Sequence, residues 1–249
     1  GAGLGLALTR QLLASGWHVV AVDCDSEALA RLHDEAGGQL SPVTADLADQ
    51  GPLDALGGDL AGQGPYQRVV MNAGINATGA FETIPFDIQE KLIAVNLTAP
   101  MALTAALVRE NAIVPGGCLV FVSSLSRYVG YPGAATYAAT KEGLAIFARS
   151  LRKPLARRRV NVLTVCPGPL DTAHAARHAP PAADASNRMK PQEAARHVLA
   201  AANRPALAGL FLGGGISVPG IGPKFIALAG RLLPGITTVI MRRSIFEKF

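Results

Sequence analysis

Tyr137 and Lys141 stand four residues apart in the run Tyr-Ala-Ala-Thr-Lys, and Ser124 lies 13 residues upstream of the tyrosine. A free phenol has a pKa of about 10, too high to exchange protons usefully at neutral pH. On a helix, a lysine at i+4 shares a face with the tyrosine. Its ammonium favours phenolate and lowers that pKa. A hydroxyl from another segment can hold a substrate oxygen while the phenol gives or takes the proton. Such a tyrosine–lysine pair arises by chance in about one in three chains of this length, so alone it is equally a surface helix with a solvated lysine. Its meaning depends on what surrounds it.

The elements that must position these groups alternate in kind. Strand-like runs rich in Val and Leu fall at 18–23, 40–44, 68–72, 118–122, 160–166 and 207–212. Helical patterns fall at 5–15, 26–36, 50–62, 86–111, 134–157 and 191–203, with Pro154 expected to interrupt or kink the fifth. Little in/out alternation suits strands covered on both faces, as in a parallel sheet. The order predicts a doubly wound α/β fold in three layers. Asp23, Asp46, Asn72, Ser124 and Pro167-Gly168 all fall just past the C-terminal end of such a run. In open α/β sheets that edge holds the ligand.

The chain opens on Gly1-Ala2-Gly3-Leu4-Gly5 and runs straight into a helical pattern. Glycines let backbone approach a pyrophosphate, and a helix N-terminus offers unpaired N–H groups. Such a turn normally follows a strand, so a strand upstream of residue 1 is expected. Asp23 ends the next strand-like run, where a carboxylate accepts the hydroxyls of an adenosine ribose and repels a 2′-phosphate. Cys24 follows it, not arginine, so NAD is expected, with NADP the less favoured cofactor. Asp46, followed by Leu47, is an adenine contact or a helix N-cap. Asn72-Ala73-Gly74 is small enough for close approach of a ligand or neighbouring backbone.

Bulk composition narrows the field. The chain has 249 residues, 49% hydrophobic and 16% charged, with a net charge of +5. That length can bury a large α/β core, and the modest charge argues against a nucleic-acid binder. The strongest basic cluster, Arg152, Lys153, Arg157, Arg158 and Arg159, sits at a predicted helix C-terminus, where the macrodipole favours cations. Cys24, Cys118 and Cys166 lack zinc spacing, so neither a metal site nor a disulfide framework is expected. Each adjoins an apolar run and is expected to be buried. No apolar stretch is read as long enough to span a membrane. The sequons at Asn76 and Asn96 are read as chance matches for want of a visible signal peptide, with a cytoplasmic location expected.

With these residues in hand, the chain resembles a short-chain dehydrogenase/reductase over about residues 1–203. Gly3-Leu4-Gly5 matches the end of that family's Thr-Gly-x-x-x-Gly-x-Gly turn, with Gly1 and Ala2 in its variable stretch. Met71-Asn72-Ala73-Gly74 matches Asn-Asn-Ala-Gly with its first asparagine lost. Asn96, Ser124, Tyr137 with Lys141, and Pro167-Gly168 with Thr172 match the family's later motifs in order. The resemblance implies a single Rossmann-type αβα domain with a helical C-terminal extension. It implies a hydride transfer between nicotinamide and an alcohol or ketone, with Tyr137 as proton donor or acceptor. Ser124 would orient the substrate oxygen, and Lys141 would lower the tyrosine pKa and bind the nicotinamide ribose. Asn96 would hold a water linking Lys141 to solvent. Thr172 and Pro167-Gly168 would position the carboxamide, while Gly1, Gly3, Leu4, Gly5, Asp23, Asp46, Leu47, Asn72, Ala73 and Gly74 would line the cofactor. A homodimer or homotetramer built on the two long helices is implied.

Residues 1–215 form the expected catalytic domain and 216–249 an apolar extension. The extension is read as packing on the domain or at an interface. Arg242, Arg243 and Lys248 leave a membrane-surface role as the lesser alternative. The Ala- and Pro-rich segment 170–190 reads as a substrate lid, with His174 and His178 as loop histidines. It favours a hydrophobic substrate. A non-catalytic NAD(P)-binding regulator is the alternative function, and a lyase or epimerase would need a larger C-terminal domain.

Overall fold

Two sets of parallel strands carry the molecule, seen in a computed structural model that describes residues 2–128, 133–177, 188–203, 215–233, 235–237 and 239. Helix α1 (Gly3–Ala14) leads into β1 (Val19–Asp23), α2 (Ser26–Ala36), β2 (Leu40–Thr44), α3 (Leu53–Gly62) and β3 (Tyr66–Met71). Next come α4 (Phe86–Ile93), a π-helical turn (Ala94–Thr98), α5 (Ala99–Arg109), β4 (Ile113–Val122) and α6 (Ala135–Ala156). The chain continues through β5 (Asn161–Val165), α7 (Ala173–Arg177), α8 (Pro191–Ala202), β6 (Ile216–Ser217) and α9 (Ile221–Leu232). β1 pairs with β2, and β3-β4-β5-β6 form a second parallel set. Asp23 stands opposite Thr44, Met71 opposite Phe121, and Val165 opposite both Val122 and Ser217. Within each set, therefore, the strands' carboxyl ends reach one edge together.

Alternation along β4 builds the layers. Cys118, Val120 and Val122 face Leu4, Leu8, Ala195 and Val198 of α1 and α8. Leu119 and Phe121 face Leu144, Ala148 and Leu155 of α6. A third cluster, from Leu60, Leu103 and Leu107, packs on Val20 and Val43 of one strand set and Val69 and Met71 of the other. One apolar core thus ties both sets together, and the Rossmann-type three-layer α/β arrangement is the fold that forms.

Several expectations change in detail. The predicted helix 86–111 contains the π-helical turn, so its hydrogen-bond spacing widens around Asn96. From Phe86 to Arg109 it also runs 24 residues and contains an 18-residue window with a mean hydropathy of 1.6, long and apolar enough to cross a membrane; half of that window is buried within the protein, as in a core helix. Pro154 lies inside α6, which continues to Ala156. Cys24 is exposed, because β1 stops one residue before it; Cys118 and Cys166 are buried. Residues 207–212, the sixth expected strand, lie outside the described residues, as do Gly1, His178 and the Arg242–Lys248 cluster.

Candidate active site

The glycine turn meets the strand ends. Gly3 has φ of +56°, a backbone region that favours glycine. A Cβ built there would lie 3.3 Å from Thr172 Cγ2, and one built at Gly5 would lie 2.9 Å from Asn72 Nδ2. Three segments predicted to share a cofactor therefore converge: the N-terminus of α1, the residue after β3, and the segment after β5. No side chain caps α1 and no acid lies in its first turn. Its leading N–H groups are thus oriented for an anionic group, as a pyrophosphate requires. Leu4 turns its side chain into the core and Leu47 packs against the third cluster, so only their backbones can face a ligand.

Asp23 Oδ1 accepts the Asp25 N–H at 3.0 Å, which fixes the carboxylate at the mouth of β1. Asp46 Oδ1 accepts the Ala48 N–H at 2.9 Å in a local turn; the residue is exposed and caps no helix. Pro167 is buried and Gly168 half-buried just after β5. Thr172 Oγ1 accepts the Ala175 N–H at 3.0 Å at the start of α7. The two ends of the segment after β5 are tied by Met189 N–H to Pro169 O at 3.0 Å and Asp171 N–H to Met189 O at 2.9 Å. Residues 178–187 lie outside the described residues.

The deepest polar group is Asn96, fully buried in the π-helical turn. Its Nδ2 donates to Ile75 O at 2.9 Å and Thr140 Oγ1 at 3.2 Å, and its Oδ1 accepts the Ile75 N–H at 2.8 Å. It thereby fixes the loop after β3. Thr140 Oγ1 in turn donates to Tyr137 O at 2.7 Å. Asn96 and Thr140 together connect that loop to the helix carrying the tyrosine and lysine.

Lys141 is buried, and its Nζ donates to Val122 O at 3.1 Å. The ammonium lies 5.8 Å from the Tyr137 ring centroid. A Cβ built on Gly74 would fall 2.9 Å from Lys141 Nζ and 3.3 Å from Asn96 Oδ1, so only a glycine clears both. Burial pushes the Lys141 pKa down from 10.5 to about 8. At pH 7 about nine-tenths of it still carries the charge that favours a phenolate.

That shift has a measurable sign. Between pH 8 and 10.5 the unfolded chain holds a proton on Lys141 that the folded chain has released, so stability rises with pH across that window. Relative to Lys141→Met, the wild-type protein should gain about 3 kcal/mol from pH 8 to 10.5, measured by urea unfolding at each pH. Parallel pH curves for the two proteins would contradict the buried, depressed lysine.

Ser123 and Ser124 separate cleanly. Ser123 is buried and its Oγ donates to Lys141 O at 2.8 Å, while Ser124 is half-buried and its Oγ accepts the Ser126 N–H at 3.2 Å. Three residues after Ser124, half-buried Arg127 grips Glu142 through Nε at 2.6 Å and Nη2 at 3.1 Å. The pair fastens the turn carrying Ser124 to α6 beside Lys141. Neither Arg127 nor Thr140 stood out in the sequence. Thr140 at Lys141−1 carried a helical-neighbour signal, whereas Arg127–Glu142 had none.

An uncapped helix at a glycine turn, a carboxylate ending β1 and the Tyr137–Lys141 pair near the end of β4 are the arrangement the sequence resemblance implied. Residues 1–182 match the profile of the family described as short chain dehydrogenase, and the chain belongs to that family. Its members are oxidoreductases that use NAD(P). Nodulation protein G of Rhizobium meliloti (strain 1021) is 32% identical over 171 residues, covering 68% of this chain and 70% of the relative. The 2-(R)-hydroxypropyl-CoM dehydrogenase of Xanthobacter autotrophicus (strain ATCC BAA-1158 / Py2) is 29% identical over 178 residues, covering 68% and 71%. The crystal structure of BdcA in complex with NADPH is similar at a TM-score of 0.74 and 25% identity, covering 87% of this chain and 88% of that one.

Proposed function

We propose that the protein transfers a hydride between NAD and a secondary alcohol or ketone, with a hydrophobic substrate preferred. The observation that carries this reading is the linked set of Asn96, Thr140, Tyr137 and Lys141, with Lys141 bonded to the Val122 carbonyl two residues before Ser124 at the carboxyl end of β4. The dinucleotide, when bound, supplies the hydride chemistry. Tyr137 takes the hydroxyl proton in alcohol oxidation and returns it to the oxygen in ketone reduction. The Lys141 charge makes that exchange accessible near neutral pH. Ser124 donates a hydrogen bond to the substrate oxygen and steadies its developing charge. Asn96 keeps the Ala73-Gly74 bed and the Tyr137 helix in one geometry. Subunit contact through α4, α5 and α6 is supported by exposed Phe86, Ile93, Met101 and Ile146.

Asp23 supports NAD over NADP, since a carboxylate at the end of β1 would repel a 2′-phosphate and the neighbouring Cys24 brings no positive charge. A full-length preparation should oxidise secondary alcohols with NAD, faster as the apolar chain lengthens. Asp23→Ala should move the NAD-to-NADP ratio of kcat/KM at least about tenfold toward NADP, the scale of one lost charge-assisted contact. An unmoved ratio would reject Asp23 as the selecting residue. NAD binding without turnover on any alcohol or ketone would favour the regulator reading.

A further inference from the structure

We propose that α9 docks the protein on an anionic lipid bilayer. Its inner face is committed to the domain: Ala227 and Gly230 are buried, Gly230 lies against the Tyr128 backbone carbonyl, and a Cβ built at Gly168 would lie 3.1 Å from Pro223 Cγ. Its outer face is apolar and open. Phe225, Leu228 and Leu232 are 69%, 54% and 66% exposed and recur at i, i+3 and i+7, the spacing of a single helical stripe. Ile226 and Leu233 widen it, and exposed Ile236 and Val239 follow. Isolated exposed apolar residues are ordinary; four on one helix, with three more exposed just past its end, make an interaction surface.

Charge selects the partner. Lys224 and Arg231 are exposed seven residues apart, so they lie on one flank of the stripe two turns from each other. Between residues 216 and 246 the sequence carries four cations, Lys224, Arg231, Arg242 and Arg243, and no Asp or Glu. A twofold contact between copies would bring this stripe and its cations against themselves, with no acid on the helix to pair them. Anionic headgroups satisfy the cations while the stripe enters the acyl boundary, as interfacial helices do. Docked this way, Tyr128 and the Gly168 turn stand about one helix diameter, ~10 Å, from the lipid. This orientation rests on the oxidoreductase reading only for its consequence, direct uptake of apolar substrate from the membrane; the docking itself does not.

The test is co-sedimentation of the full-length chain with phosphatidylcholine vesicles, with and without phosphatidylglycerol. The expected result is binding to the anionic vesicles, weakened about tenfold or more by Lys224→Gln with Arg231→Gln, since each cation near such a surface is worth about a fivefold change. The triple variant Phe225→Ser, Leu228→Ser, Leu232→Ser should lose vesicle binding while its thermal midpoint stays near wild type, because all three side chains are exposed. No binding of wild type to anionic vesicles overturns the proposal. So does a triple variant that sediments as wild type does, or one that instead drops to a smaller oligomer on gel filtration without any wild-type vesicle binding. No arm reads turnover, so a failure here is distinct from a failure of the hydride-transfer reading.

Discussion

Tyr137→Phe should lower kcat/KM by about a hundredfold to ten-thousandfold, the range of a lost general acid–base, while NAD binding is unchanged. The phenylalanine keeps the ring beside Lys141 and removes only the hydroxyl. Helix α6 is anchored in the core through Leu144, Ala148 and Leu155 and by the Arg127–Glu142 pair, so the helix should keep its place in the variant. Steady-state kinetics together with a cofactor-fluorescence titration separates the two effects. Turnover preserved in the variant would remove Tyr137 from the chemistry and shift the proton role to another group. Turnover and cofactor binding lost together would point to a structural role instead.

Asn96→Ala should be costly in a different currency, stability. Three hydrogen bonds disappear from a fully buried site, and the Ile75 N–H and C=O are left without their partner. Each stranded group costs about 1–3 kcal/mol, for a total of about 3–5 kcal/mol with the cavity included. At about 2–4 °C per kcal/mol the melting midpoint should fall by about 10 °C. Activity should fall further than the folded fraction explains, because the Gly74 loop and the Thr140–Tyr137 link are released. Asn96→Asp retains an acceptor for the Ile75 N–H and should land between the two. A midpoint for Asn96→Ala within about 2 °C of wild type would mean that the loop after β3 holds itself.

Much of this site was legible in the residue order because it depends on short periods. Val- and Leu-rich runs located five strands, and their ends placed Asp23, Asn72, Ser124 and Pro167-Gly168 on strand termini. The i+4 spacing put Tyr137 and Lys141 on one helix face. What escaped notice depends on contacts between distant segments. The Val122 carbonyl that receives Lys141 has no side-chain signature, and neither does the clearance at Gly74. The π-helical turn looks like ordinary helix in the sequence, since one widened hydrogen-bond turn leaves the hydrophobic pattern almost intact. Cys24 departs from the burial its apolar neighbours imply: adjacency implies burial only while the strand lasts, and β1 ends at Asp23. The outer stripe of α9 was visible as apolar residues, but which of them face outward was fixed only by Gly230 docking on Tyr128.

The widened turn at Ala94–Thr98 also bears on how this chain can change through descent. The turn holds one residue more than a regular α-helical turn, so losing one residue from it would close the spacing to ordinary helix and re-aim the side chains within it, while α4 and α5 keep nearly their present phase. Asn96 would swing away from Ile75 even with every side chain preserved. Apart from Asn96, substitutions along Phe86–Arg109 can be absorbed one at a time, whereas a single-codon deletion in that turn disturbs Asn96 and its partners together. Homologues should therefore vary in composition across this helix far more readily than in length, and insertions or deletions should accumulate in the connections on either side of it.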